Sequence, residues 1–453
     1  MVHEGMRAKL WNTGAANAPR AGLAALVACV FLAGCGGDDV ILPGIREDIR
    51  APEETLAPEV TENTTRAISL PAQQANAQWP QSAGTPAFRT AHPALGAAPT
   101  RIWTANIGKG DSRRQRITAA PVVAQGIIFT LDAEAQVTAT SLSGQQVWQK
   151  DLLPARENSG DATGGGLAWN NGKLFVSLGY GALVAVDAAN GDVLWRQRLE
   201  GTGSGTPTAI GGLVYVTAGD DQGWAISDDD GRVVWQLQAS PDVNNVLGAP
   251  APAVSDDLAI FGFGSGEIQA VFRRGGLRRW DASVLGERFG RSASNVGDVT
   301  AAPVISGNRV YVGNQSGRLV ALNLGSGERI WTAREGAVGS VVPAGDSVFA
   351  LSDLGELLRI DASTGARIWG AQLATFVKDR PRRKAEIVAH HGPLLAGGRI
   401  HVASNDGFLR SFDPASGTLT GTVEIPDGAT SAPVVAGGVL YVVSTDGQLH
   451  AFR

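Results

Sequence analysis

A thiol, four imidazoles and two acidic runs are the side chains of this 453-residue chain with the types and spacing to do chemistry. His390, His391, His401 and His450 lie in its C-terminal third. The adjacent pair His390-His391 would point to opposite faces of an extended strand, so the two cannot share one metal ion. We read them as a solvated loop pair. The runs Asp220-Asp221 and Asp228-Asp229-Asp230 lack the twelve-residue spacing and terminal Glu of a calcium loop. They fall at turns, where Asp is favoured because it bonds its own backbone. Gly262-x-Gly264-x-Gly266 stands between two strand-like runs and not before a helix, so it is no dinucleotide fingerprint. No Gly-x-Ser-x-Gly elbow is present. These readings predict no catalytic residue, no metal site and no cofactor.

The two cysteines are Cys29 and Cys35. Residues 1–20 carry Arg7, Lys9 and Arg20, and an apolar run follows from Ala21 to Ala33. That run is short for a membrane span and fits the core of a signal peptide. Removing residues 1–34 takes the formal net charge from −5 to −7 and leaves Cys35 as the only thiol. No internal disulfide is then possible. A mildly acidic protein of this kind is a poor binder of nucleic acid.

The elements that would position any site come from a repeat. Pro207, Pro252 and Pro303 are each followed 28 residues later by Trp235, Trp280 and Trp331. Pro121 leads to Trp148 and Pro343 to Trp369 at slightly shorter spacing, and Pro393 leads to Gly421. Trp195 marks a further unit with Leu167 in the Pro slot. A last copy opens at Pro433, but the chain stops at Arg453, and the upstream segment Arg101-Ile102-Trp103-Thr104 supplies its missing piece. Within a unit, short β-branched runs alternate with Gly, Asn and Ser turns, the mark of antiparallel hairpins. The expected fold is therefore all-β: an eight-bladed propeller of four-stranded antiparallel blades, closed by an N-terminal strand joining the C-terminal blade. The repeated Trp is read as packing between neighbouring blades. Residues 51–62, APEETLAPEVTE, are rich in Pro and Glu. The expected order is a signal peptide over 1–34, a flexible tether over 35–78 and a propeller over 79–453.

Two resemblances add to this. Leu32-Ala33-Gly34-Cys35 resembles the lipobox of bacterial lipoproteins, which implies cleavage before Cys35 and acylation of it. Gly36 after that Cys favours the outer membrane over the inner. The blade pattern, as in Val439-Leu440-Tyr441-Val442, Gly447-Gln448-Leu449-His450-Ala451-Phe452 and Thr364-Gly365-Ala366-Arg367-Ile368-Trp369, resembles the pyrroloquinoline-quinone-type repeat. Taken together, the chain resembles the BamB family of outer-membrane assembly lipoproteins. That resemblance implies a non-catalytic scaffold, lipid-anchored on the periplasmic side of the outer membrane of a Gram-negative bacterium. Its implied partners are the periplasmic domains of BamA, other barrel-assembly components and unfolded outer-membrane clients. It implies contacts on two loops, one holding Asn244, Asn245, Val246 and Leu247, the other Asn295, Asp298, Val299 and Thr300. The second acid of the family's Asp-Val-Asp is Thr300 here, and the Arg of its first-loop motif is absent. Quinone-dependent dehydrogenases with the same repeat carry an adjacent Cys pair, and no Cys follows Cys35. Arg380, Arg382, Arg383 and Lys384 form a basic insertion outside the repeat, either a solvated loop or a contact for an acidic surface or anionic headgroups.

Overall fold

The computed structural model describes residues 62–89, 92–201, 205–218, 221–241, 249–286, 288, 297–377 and 386–453. These residues form eight four-stranded antiparallel sheets. In seven of them the strands pair in chain order, the first being β2 (Val122–Ala124), β3 (Ile127–Leu131), β4 (Gln136–Ser141) and β5 (Gln146–Asp151). The eighth combines β30 (Val434–Ala436), β31 (Val439–Val443) and β32 (Gln448–Phe452) with β1 (Arg101–Asn106). Trp103 of β1 stands opposite Ala451 of β32, and the main chains of Thr100 and Arg453 bond each other in both directions at 2.8 and 2.9 Å. The expected closure by the first strand is thus observed, as are all eight units.

Burial follows strand position. The first three strands of a blade are almost wholly buried, because both faces of the sheet meet a neighbouring blade. Their apolar runs are accordingly continuous and not alternating. The fourth strand alternates between exposed and half-buried, as in β5, β9 (Val193–Arg198) and β13 (Val233–Gln238). Each fourth strand carries a bulge just before its Trp position, which sharpens the twist of the rim.

The tryptophans lie between blades. Trp148 packs on Gly191 of the next blade, and Trp195, Trp235, Trp280, Trp331, Trp369 and Trp103 meet Gly231, Gly276, Gly327, Gly365, Gly417 and Gly144 in the same way. A Cβ on any of these glycines would sit 2.7–3.0 Å from the indole, and each glycine has positive φ. Both facts require Gly there. Every one of these indoles also donates to a main-chain carbonyl of the same turn, at 2.8–3.3 Å.

The described part of the segment before β1 begins at residue 62 and bonds to the blades from Asn63 onward. Its backbone makes a circuit across the hub. Trp79 exchanges bonds with Val123 at 2.7 and 2.9 Å, and Pro80 accepts from Trp169. The Gln81 amide exchanges bonds with Ala209, while Pro86 and Ala87 accept from Val254 and Ile305. Pro93 accepts from Gly397, Asn76 from Gly437, and Ser69 lies against Gly345. All eight blades are touched, on or beside their innermost strands. This plug closes the channel at the end where first and second strands turn.

Candidate partner-binding face

The other end of the channel stays open as a cavity of about 1040 Å³. It is ringed by the connections that lead from the fourth strand of one blade to the first strand of the next, Ala249–Ala251, Asp298–Thr300 and Thr430–Pro433 among them. The described residues that directly follow the two loops singled out in the sequence, Ala249–Ala251 and Asp298–Thr300, are thus on this face. Asn244, Asn245, Val246, Leu247 and Asn295 lie outside the described residues, as do Cys35 and the basic insertion Arg380, Arg382, Arg383 and Lys384.

Asp298, Val299 and Thr300 are described, and they stitch blades together. Val299 is buried: it pairs with Asn314 of blade 5, donates its N–H to Phe263 of blade 4 at 3.2 Å, and presses its Cγ1 where a Cβ on Gly262 would be, 2.6 Å away. The Thr300 hydroxyl donates to the Ala337 carbonyl at 2.8 Å. The same hydroxyl stitch recurs at Thr118 to Gly165, Thr208 to Pro252 and Thr430 to Ile117. Asp298 is 4% exposed and borders the cavity. Val299 and Thr300 thus hold this connection in register between blades.

A partly buried ion network meets Arg288, ahead of the second loop. Val284 donates to Gly266 at 2.8 Å. Four residues on, Arg288 forks onto Asp353 of blade 6, Nε to Oδ2 at 2.8 Å and Nη2 to Oδ1 at 3.1 Å. Glu335 bridges Arg288 and Arg367 at 3.5 and 3.4 Å, and Arg367 forks onto Glu356 at 2.8 and 3.1 Å. Burial pushes the Glu335 carboxyl above the ordinary range, with Arg367 and Arg288 pulling back against it. Arg288 loses to burial but gains more from Asp353 and Glu335, so its guanidinium is held charged. Forked Arg–carboxylate pairs are geometrically demanding, so the network sets the loop's base against blades 5 and 6. None of these five residues occupies a repeat slot that the sequence reading followed, so their pairing had no signal in spacing.

The histidines differ from the expected solvated pair. His390 opens β26 (His390–Ala396) and both its ring nitrogens are engaged, Nδ1 with Ser404 Oγ at 2.7 Å and Nε2 with the Ala374 carbonyl at 2.9 Å. His401 is buried in β27 (Arg399–Ser404), with Ser411 Oγ at 2.9 Å and the Ala396 carbonyl at 3.1 Å. Burial drives its pKa down to about 4. His401 is a satisfied core polar group, and His390 is half-buried with both nitrogens engaged.

A protein-family model described as outer membrane protein assembly factor BamB matches residues 133–371 and 370–453. The chain belongs to the BamB family. Curated relatives named BamB are 25% identical over 250 residues in Yersinia pestis and 27% identical over 244 residues in Shewanella oneidensis. Those matches cover 54% and 52% of this chain, and 63% and 61% of the relatives, so the chain spans about three-fifths of their length. Among solved structures, BamB from Moraxella catarrhalis is similar with a TM-score of 0.63 at 17% identity, over 79% of this chain and 100% of the other. A europium-containing methanol dehydrogenase is similar with a TM-score of 0.62 at 13% identity, over 83% of this chain and 98% of the other. At such identities both show a shared fold alone.

Proposed function

We propose that this BamB-family chain is a non-catalytic scaffold of the barrel-assembly machinery, held by acylated Cys35 at the periplasmic face of the outer membrane. Its open face would bind the periplasmic domains of BamA through the loops before blades 4 and 5 and assist insertion of β-barrel clients. The observation that carries this reading is the family match, which runs through most of the ring. The rigid base of the second loop supports it: a loop clamped by Arg288 at one end and by Asp298–Thr300 at the other is presented without a large ordering cost on binding. A lipid anchor would confine the search to two dimensions and raise effective concentration. The absence of any Cys after Cys35 from the sequence argues against the adjacent-Cys quinone enzymes.

The test is affinity capture of the tagged full chain from detergent-solubilised membranes. Recovery of BamA is the expected result, and recovery of a different envelope complex without BamA would sink the reading. Asp298→Asn should lower recovery severalfold while the melting temperature stays close to that of the parent. Unchanged recovery would remove Asp298 from the contact. Cys35→Ser should release the protein from the membrane fraction.

A further inference from the structure

One blade departs from the others in a way that points to a built-in device. The third-strand residue opposite each Trp position is Ala139, Ala185, Ala225, Ala270, Ala321 and Ala451 in six blades, and Ser411 in blade 7. In blade 6 it is Arg359, between Phe349 and Trp369, and it is 0% exposed. A buried guanidinium needs acceptors for its five donors. Two come from its own blade: Ser347 Oγ at 2.8 Å and Asp346 Oδ1 at 3.2 Å. Two are carbonyls of blade 7, Pro414 at 3.3 Å and Ala415 at 3.2 Å. The remaining two are the carbonyls of Arg66 and Ala67, some 290 residues earlier in the chain.

Those two belong to a stretch that runs from rim to hub along the seam of blades 6 and 7. At the rim, Thr64 donates its N–H to the Ile368 carbonyl at 2.9 Å, and the Asn63 amide exchanges bonds with Gly370, both at 2.9 Å. Ile368 is the bulged residue before Trp369. Its counterparts Ile102, Val147, Leu194, Val234 and Ile330 are 41–50% exposed, whereas Ile368 is 5% exposed because this stretch covers it. Midway, Arg66 donates its N–H to Ala415 and pairs with Asp346 at 2.9 Å and Asp361 at 2.7 Å. Near the hub, Ile68 and Leu70 pack on the cluster that holds Phe349, Leu395 and Ile400.

We propose that residues 62–70 are a latched strap, with Arg359 as the latch, and that the latch fixes the outer edge of blade 6 as the point where the N-terminal chain leaves the ring. Releasing the strap would strip Arg359 of two acceptors while it stays buried between blades, and would expose Ile368. Both penalties hold it down. Load on anything attached ahead of residue 62 is then borne by blades 6 and 7, and neither the plug nor β1 is pulled.

Hydrogen exchange on the full chain tests this. Arg359→Ala restores the residue of six other blades, so the ring has a precedent for it. The expected result is at least a tenfold loss of protection at the Thr64 and Arg66 amides, and at least tenfold faster tryptic cleavage after Arg66. Strands β24 (Glu356–Asp361) and β25 (Arg367–Gln372) should keep their protection. Unchanged exchange at Thr64 and Arg66 would overturn the proposal. So would equal loss throughout blade 6, which would make Arg359 a core residue and no latch. Arg66→Pro leaves the ring sequence untouched and removes the strap's N–H and its ion pairs. It should release Thr64 to the same degree, and retained protection there would equally count against a strap.

Discussion

At the scale of single residues, the ring is held by an indole placed on a bare glycine. Trp280 shows the pair in full: its ring covers Gly327 and its Nε1 donates to Leu324 at 2.8 Å. Trp280→Ala removes the ring, opens a cavity between blades and leaves that carbonyl without its donor. A loss of about 3–5 kcal/mol is expected in chemical denaturation. His401 gives a second expectation. Its folded pKa lies near 4, below the ordinary value of 6.5. Between those values the unfolded chain takes up a proton that the folded chain refuses, so stability falls as pH drops from 6.5 towards 4 and is restored as pH rises. The contribution is about 3 kcal/mol across the window, and it should vanish from the pH dependence of the denaturation midpoint in His401→Gln. The Trp role was legible in the sequence because packing residues recur at one slot. Arg359 stood in a slot as regular as that of the Trp, but the Pro-to-Trp spacing passes over it. The resemblance named Val299 and Thr300 for a contact, and a motif gives no depth; Val299 is buried against Gly262, and the Thr300 hydroxyl is tied to the Ala337 carbonyl.

At the scale of elements, the lost Trp at Gly421 has a structural reason. Each docking glycine sits in the turn between the third and fourth strands of the next blade. The blade after Gly421 is the closing one, whose fourth strand β1 comes from far upstream, so no such turn joins it to β32. An indole would have neither glycine nor carbonyl loop to meet. The space is instead a shallow cleft of about 430 Å³ between β29 (Leu419–Glu424) and the segment Ala98–Arg101. A Cβ at Gly421 would touch nothing within 4 Å, and its φ is not positive. Gly421→Ala should therefore stabilise the protein by about 0.5–1 kcal/mol, through the unfolded chain and strand preference. A loss there would show that the seam tolerates no side chain. The boundary of the tether was the element least legible from sequence. Residues 62–66 are polar and lack a strand pattern, and what orders them is a groove whose walls lie about three hundred positions away.

At the scale of the whole molecule, the decisive bond is between ends. Among the described residues β1 pairs with β32 alone, across about 340 positions of sequence. Deleting residues 448–453 should cost far more than any one strand's share. It leaves β1 and β31 as two facing open edges in a ring that can spring apart. Loss of a single cooperative melting transition, with aggregation, is the expected result; a cooperative melt within a few degrees of the parent would show that the joint is dispensable. The number of units and the manner of closure were both readable in advance, because a repeat that stops short must be completed somewhere. The plug was not, since its contacts are mostly main chain to main chain and leave no trace in residue type.

The same joint sets a schedule for biogenesis. The strand β1, made early, must wait for β32, so no amount of sequential blade formation can close the ring before residues 448–452 have left the ribosome. Until then β1 offers a bare β-edge to any other strand. A product cut short ahead of Gln448 would leave β1 unpaired and the ring open.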